Sequence, residues 1–323
     1  MRKYIIYLAS FLLAFFSSLY IQTDEAFALK KVRFTPNWLP QAQFAGYYVA
    51  LEKGFFREQG LDVKFVHVKQ SSKISPYEML AAGETDIIGT TMFRALEAKT
   101  HGVNLVNFLQ TSQHSGLMCV ANFPIHDFKD LDGKKVCTWK TGFKQIADMA
   151  SFDQNVNIEW VPYIGKLNLF LNKAVDAALC YSYNEYYELL FSRGQISEEN
   201  VLRFSEIGYD LPEDGLYTKQ DFYEQNGEEI SQFAYAAAQG WQYCRENPEE
   251  ALDLVVKYMN DNNVVCNRYH QKKMLEETLR LQIDEDGKAS YRPISKEMFS
   301  RIVNEMNKIG LFSGDAKYEE MIR

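Results

Sequence analysis

The chain has 323 residues and a formal charge of −8, and 46% of its residues are hydrophobic. An acidic balance of that size excludes a nucleic acid or an anionic membrane surface as the main partner, because either would call for a basic face. The length exceeds what one core usually supports and fits two domains of ordinary size.

Arg2 and Lys3 precede an apolar run from Tyr4 to Tyr20, and Ala26-Phe27-Ala28 offers a small-residue cleavage site. Residues 1–28 are therefore expected to be a signal peptide that is removed. The run is close to the length of a membrane span, so an uncleaved anchor is the alternative. No cysteine lies near the cleavage site, which argues against a lipoprotein. No later segment is apolar for long enough to cross a bilayer, so the mature chain is expected to be soluble, in the periplasm or outside the cell.

Lys31–Thr35 alternates as a strand does, and Ala45–Lys53 has helical periodicity that ends at Gly54, a residue suited to a helix C-terminus. The turn between them, Asn37–Phe44, is rich in aromatic and amide side chains and opens onto a helix start, where free backbone N–H groups point outward. Leu61–Val68 alternates again, so the stretch reads as a strand–helix–strand unit with parallel pairing. After the polar turn 69–73, Ser75–Ala82 reads as a short helix, Asp86–Gly89 as a buried strand, Met92–His101 as a helix and Val103–Gln110 as a strand. Such alternation predicts an α/β unit whose ligand-facing loops follow the strand C-termini: Asn37–Phe44, Lys69–Ser72 and Thr90-Thr91.

Gln113-His114-Ser115-Gly116 breaks the pattern and is the expected crossover to a second unit. Strands are predicted at Leu117–Ala121, Lys135–Trp139, Ile158–Tyr163, Ala177–Tyr181 and Leu202–Ser205. Helices are predicted from Thr141-Gly142 to Phe152, over Leu167–Asn172 and over Asn184–Ser192. Tyr217–Phe222 reads as one more strand. The last third is helical, over Glu228–Asn247, Pro248–Met259, Arg268–Arg280 and Ile294–Ile309, with its aromatic and Met stripes assigned to the core.

Five cysteines, Cys119, Cys137, Cys180, Cys244 and Cys266, are an odd number, so at least one is unpaired within the chain. Most sit in apolar surroundings that suit small buried hydrophobes, and no disulfide is expected. The histidines His67, His101, His114, His126 and His270 are dispersed, and GxSxG, HExxH, GxxxxGK[ST] and GxGxxG are all missing. No metal, cofactor or catalytic set is therefore expected.

What remains is a set of aromatic and neutral polar side chains at predicted loops of both units. In the first unit these are Asn37, Trp38, Gln41, Gln43, Phe44, Tyr47, Gln70, Ser71, Thr90 and Thr91, with His114 at the crossover. In the second they are Trp139, Thr141, Phe143, Tyr163, Tyr181, Tyr183, Asn184 and Glu185. Trp38 lies between Pro36 and Pro40, where a large ring has little local core to fill, and is expected to stack on a flat ligand. Glu185 has two readings, an acceptor for a ligand amino group or a first-turn acid facing its own helix dipole. Thr90-Thr91 and Thr141-Gly142 each precede a helix and can serve as N-caps.

The segments NWLPQAQFAGYYVALEKGFFREQGLDV, LAAGETDIIGT, DFKDLDGKKV and GWQYCRENPEEALDLV resemble the solute-binding proteins of ABC importers. In particular they resemble the group that binds thiamine pyrimidine precursors, related to sulfonate and nitrate binders and to the eukaryotic thiamine-pyrimidine synthases. The resemblance implies a two-domain, type II periplasmic-binding-protein fold of the α/β class. Each domain would be a mainly parallel sheet with flanking helices, with a cleft between the domains and a helical C-terminal part. It also implies a discontinuous first domain, 29–115 with 208–323, and a second domain at 116–207. Asn37 and Trp38 fall on the group's stacking pair, and Asn184 and Glu185 on its Asn-Glu pair. Phe44 stands where a His is common, and the synthases' Cys-rich motif is absent. The implied partners are a small molecule and an ABC permease or, alternatively, a membrane sensor, with the protein itself a monomer.

Overall fold

The computed structural model describes residues 29–68, 74–140, 142–163, 167–284 and 286–323. The expected signal peptide and the candidate residues Gln70, Ser71 and Thr141 lie outside the described residues.

The described strands are β1 (Lys30–Thr35), β2 (Leu61–Phe65), β3 (Ile87–Thr91), β4 (Leu105–Gln110), β5 (Leu117–Ala121), β6 (Lys135–Trp139), β7 (Glu159–Tyr163), β8 (Ala177–Tyr181), β9 (Val201–Arg203) and β10 (Asp214–Lys219). They form two sheets of five, in the orders β2-β1-β3-β10-β4 and β7-β6-β8-β5-β9. In the first, β2, β1 and β3 are parallel, and β10 runs against both of its neighbours. In the second, β7, β6 and β8 are parallel, and β5 runs against β8 and β9. The inner strands β3 and β5 are buried along their whole length; β5 is apolar throughout, and β3 ends in the buried hydroxyl residues Thr90 and Thr91.

The two reversed strands position the site. Because β10 is antiparallel, its first residue Asp214 pairs with Thr91 at the C-terminal end of β3. By the same logic Leu117, the first residue of β5, pairs with Tyr181 at the end of β8. Both crossings between the sheets therefore arrive at the edge where the parallel strands end. There the Glu213 carboxylate ties one crossing to the other, accepting from Ser115 Oγ at 2.8 Å and from the Gly116 N–H at 2.9 Å.

Helix ends follow local chemistry. Ser75 and Glu78 form a reciprocal capping box before Pro76–Ala81, and Thr91 Oγ1 accepts from the Arg94 N–H to cap Met92–Thr100. The helix Ala45–Glu52 packs closely on the long helix Gly227–Glu246 through two glycines. A Cβ on Gly240 would stand 1.9 Å from the Gly46 carbonyl oxygen, and one on Gly46 would stand 2.2 Å from the Trp241 ring. Small residues are thus required at both positions if Trp241 is to reach the cleft.

The strand expected at Tyr217–Phe222 is observed at Asp214–Lys219 and is followed by a helix, Gln220–Gln225. Asp214-Gly215 has the look of a turn, but Gly215 belongs to the strand, because a Cβ there would meet Asn107 Nδ2 at 2.5 Å. The helix expected from Thr141-Gly142 starts at Gln145, since Gly142 is left-handed with φ +41°. The last strand of the second sheet stops at Arg203 and gives way to a 3-10 turn, Phe204–Ile207, closed by Gly208 at φ +91°. Short helices at Phe55–Glu58 and Tyr318–Met321 were not anticipated. The second brings Ile322 beside Asn107, where it covers the edge strand β4.

All five cysteines are free thiols, four of them buried and Cys266 half-buried. No helix among the described residues is long and apolar enough to cross a membrane.

Candidate functional site

A cavity lies at the common edge of the two sheets. The turn after β1 contributes Asn37, Gln43, Phe44 and Tyr47, and the end of β3 contributes Thr90. The crossing after β4 contributes Thr111, Ser112 and Gly116, and the turn after β8 contributes Tyr183. Glu213, Asp214 and Gly215 come from the start of β10, Trp241 from the long helix, and Thr278, Leu281 and Gln282 from the end of the helix Arg268–Leu281. The enclosed space is about 30 Å³, room for two or three waters at roughly 10–15 Å³ each. Counted out through its mouth into open solvent the cleft is about 520 Å³. A ligand larger than a few atoms enters only if the walls part.

The polar wall is a short network. Gln41 Nε2 donates to Gln43 Oε1 at 2.6 Å, and Gln43 Nε2 donates to Asp214 Oδ2 at 2.6 Å. Gln43 Nε2 also lies 3.3 Å from the Tyr183 hydroxyl, a contact between the β1 turn and the second sheet. Glu213 takes the two donors of the crossing described above and a third from the Tyr181 hydroxyl. Burial pushes the Glu213 carboxyl up to about 7 and the Asp214 carboxyl up to about 6. Burial likewise raises the Tyr47, Tyr181 and Tyr183 phenols. Among the described residues the wall contains no Lys, Arg or His. The amide of Asn37 and the hydroxyls of Thr90 and Thr278 line the cavity and hydrogen-bond to no described residue.

A chain of aromatic rings runs beside the cavity. Trp38 is 42% exposed and meets Phe143 edge-on at 6.1 Å, and Phe143 meets Trp139 edge-on at 6.2 Å. Trp139 packs on Tyr181 at 5.0 Å and on Tyr163 at 6.1 Å, and Tyr181 stacks on Tyr183 at 5.0 Å. Trp38 follows β1 while Phe143 follows β6, so this pair also bridges the two sheets.

Six of the sequence-predicted residues, Asn37, Gln43, Phe44, Tyr47, Thr90 and Tyr183, line the cavity. Gln41 and Tyr181 support it from behind through their bonds to Gln43 and Glu213. Thr90 and Thr91 belong to β3 itself, and Thr91 is occupied as an N-cap. Trp38, Trp139, Phe143 and Tyr163 make up the ring chain. His114 lies at the crossing, its Nδ1 2.6 Å from Asp210 Oδ2. Glu185 is buried, and its carboxylate already accepts from Trp139 Nε1 at 2.8 Å, the Tyr181 N–H at 3.0 Å and Asn184 Nδ2 at 3.2 Å. The Asn184 carbonyl lies 3.1 Å from His270 Nε2.

Sequence reasoning missed Thr111 and Ser112, although the strand-end rule that picked Thr90 also applies after β4. It missed Glu213 and Asp214 because a strand start faces the ligand only when that strand is reversed, and pairing direction cannot be read from periodicity. Trp241, Thr278 and Gln282 carried no signal, since the face a helix turns to a cavity is the face it turns to the core.

The sequence model of the family described as NMT1/THI5 like matches residues 41–251. The chain is 26% identical to the riboflavin-binding protein RibY of Chloroflexus aurantiacus, over 78% of this chain and 72% of that one. It is 25% identical to a formylaminopyrimidine-binding protein of Halalkalibacterium halodurans, over 74% and 73% of the two chains. Among solved structures, the periplasmic aliphatic sulphonate binding protein SsuA of Escherichia coli superposes with a TM-score of 0.66. That superposition has 16% identity and covers 91% of this chain and 92% of that one. Two mixed sheets with flanking helices are thus the periplasmic-binding-protein fold.

Proposed function

The chain belongs to the NMT1/THI5-like family, and from that we propose an exported solute-binding protein that closes on a small planar heteroaromatic or amide-bearing ligand and delivers it to an ABC permease. The observation that carries this is the cavity between the sheets, with neutral groups that bond to no described residue, Asn37 and Thr90, on one wall and Tyr183 on the other. Neutral hydrogen-bonding groups between apolar and aromatic walls suit a flat ligand with polar edges. The relatives named for riboflavin and formylaminopyrimidine binding support the same class.

In this reading residues 29–115 with 208–323 move as one body and 116–207 as another, hinged at the two crossings that Glu213 ties together. The Gln43–Tyr183 and Trp38–Phe143 contacts form as the bodies meet. A ligand that touches both walls favours the closed state by as much as it prefers it to the open one. Binding rather than turnover is the reading that the relatives named as riboflavin-binding and formylaminopyrimidine-binding proteins support.

Calorimetric titration with 4-amino-5-hydroxymethyl-2-methylpyrimidine, formylaminopyrimidine and riboflavin tests the proposal. At about 100 times its Kd a true ligand should stabilise the protein by about 2.7 kcal/mol. No heat and no stabilisation with any planar heterocycle would overturn it.

A further inference from the structure

We propose that the cavity selects a ligand bearing a positively charged or readily protonated nitrogen, held by the Asp214 carboxylate, and rejects anions. This rests on the solute-binding reading above and narrows it to a charge class.

Asp214 stands at the start of β10 with Oδ2 engaged by Gln43, while Oδ1 accepts from no described residue. Its neighbour Glu213 is 7% exposed and already satisfied by Ser115, Gly116 and Tyr181, so Asp214 is the acid with acceptor capacity to spare. The groups around them are neutral or negative. Gln43 and Tyr47 come from the β1 turn and its helix, Tyr181 and Tyr183 from the end of β8, and Tyr217 from β10 itself. Arg245 lies behind Gln282, held by Gln282 Oε1 and the Leu279 carbonyl, and does not line the cavity. His114, at the crossing, is paired with Asp210.

A second observation, independent of the acids, points to an occupant. Thr90, 4% exposed, and Thr278, 8% exposed, both line the cavity with hydroxyls that no described residue partners. Buried polar groups without a partner are rare, and here Thr278 lines the same cavity as a carboxylate oxygen that no described residue engages. Burial pushes the Asp214 carboxyl up to about 6, and no described residue of the wall supplies a counter-ion for its charged form. A cationic nitrogen supplies that counter-ion, and a neutral N–H donor does so in part. An anion would be stripped of water beside two carboxylates with no cation on the wall, which is the arrangement that excludes it.

The test uses three planar isosteres on the full mature chain: benzamidine (cation), benzamide (neutral) and benzoate (anion), each titrated at millimolar concentration at pH 7.5. Benzamidine should bind at least about tenfold more tightly than benzamide, and benzoate should not bind. The benzamidine preference should shrink as the pH falls through the Asp214 range. Asp214→Asn, which keeps an acceptor for Gln43, should abolish the preference by weakening benzamidine far more than benzamide. Thr90→Ala, which changes no charge, should weaken benzamidine and benzamide alike. Benzoate binding as tightly as benzamidine, or a preference that survives in Asp214→Asn, would overturn the proposal. So would binding of none of the three by a protein that binds one of the heterocycles above. A protein that binds neither set instead fails the solute-binding reading itself.

Discussion

Gln43 Nε2 donates to Asp214 Oδ2 at 2.6 Å, joining the turn after the first strand to a residue 171 positions later. The bond exists because β10 is reversed, and it leaves a carboxylate under-solvated at the floor of a cleft.

That burial has a pH signature. Glu213 and Asp214 have folded-state pKa values of about 7 and about 6, above their ordinary values. Between those ranges the native state holds more protons than the unfolded chain, so stability falls as pH rises. Their contribution is fully present below the ordinary carboxylate range and is lost as pH climbs through about 6 and about 7. At about 1.4 kcal/mol per pKa unit the loss is a few kcal/mol. Urea unfolding of the ligand-free protein from pH 4.5 to 8 should show this decline, reduced in Asp214→Asn and Glu213→Gln. Equal slopes in wild type and both variants would contradict it.

Trp38 is exposed beside Asn37, which lines the cavity, and meets Phe143 edge-on. Trp38→Ala should leave the urea midpoint nearly unchanged while weakening a planar ligand by about 1–3 kcal/mol, the range of a base stacked on an aromatic ring. Unaltered calorimetric affinity would remove Trp38 from the site.

Glu185→Ala should be costly without any ligand, because it strips the acceptor from the Trp139 indole N–H and the Tyr181 N–H. A buried donor left open costs about 1–3 kcal/mol. Glu185→Gln, which keeps one carbonyl acceptor, should lose less. Denaturant titration separates the two, and a smaller loss for Ala than for Gln would contradict this role in the fold.

Gly240→Ala should destabilise by about 1–3 kcal/mol or more through overpacking, because its Cβ would meet the Gly46 carbonyl at 1.9 Å. Gly227→Ala, at the start of the same helix with nothing within 4 Å, should be neutral or slightly stabilising. Thermal melts that rank the two the other way would refute the close helix contact.

The parallel strands and most helices were legible because alternation and capping are local. Ser75, Pro76 and Glu78 fix a helix start whatever surrounds them. The β1 turn was legible for a different reason: Asn37 and Gln43 are polar where a strand runs into a helix, so they needed a partner beyond the local chain. Illegible was whatever depended on pairing direction or close approach. Gly215 lay outside the strand expected at Tyr217–Phe222 and is a strand residue under Asn107, and Gly46 with Gly240 gave no sign of admitting Trp241. Glu185 satisfied two readings in sequence, and its three protein donors now give the structural one a physical basis.

The central claim is that the cavity at the start of β10 holds the ligand between the two sheets. A crystal structure with the tightest-binding heterocycle tests it most directly. The account predicts density between Thr90 and Tyr183, with a ligand nitrogen within hydrogen-bond distance of Asp214 Oδ1. Density elsewhere, with the cavity still closed over water, would contradict it.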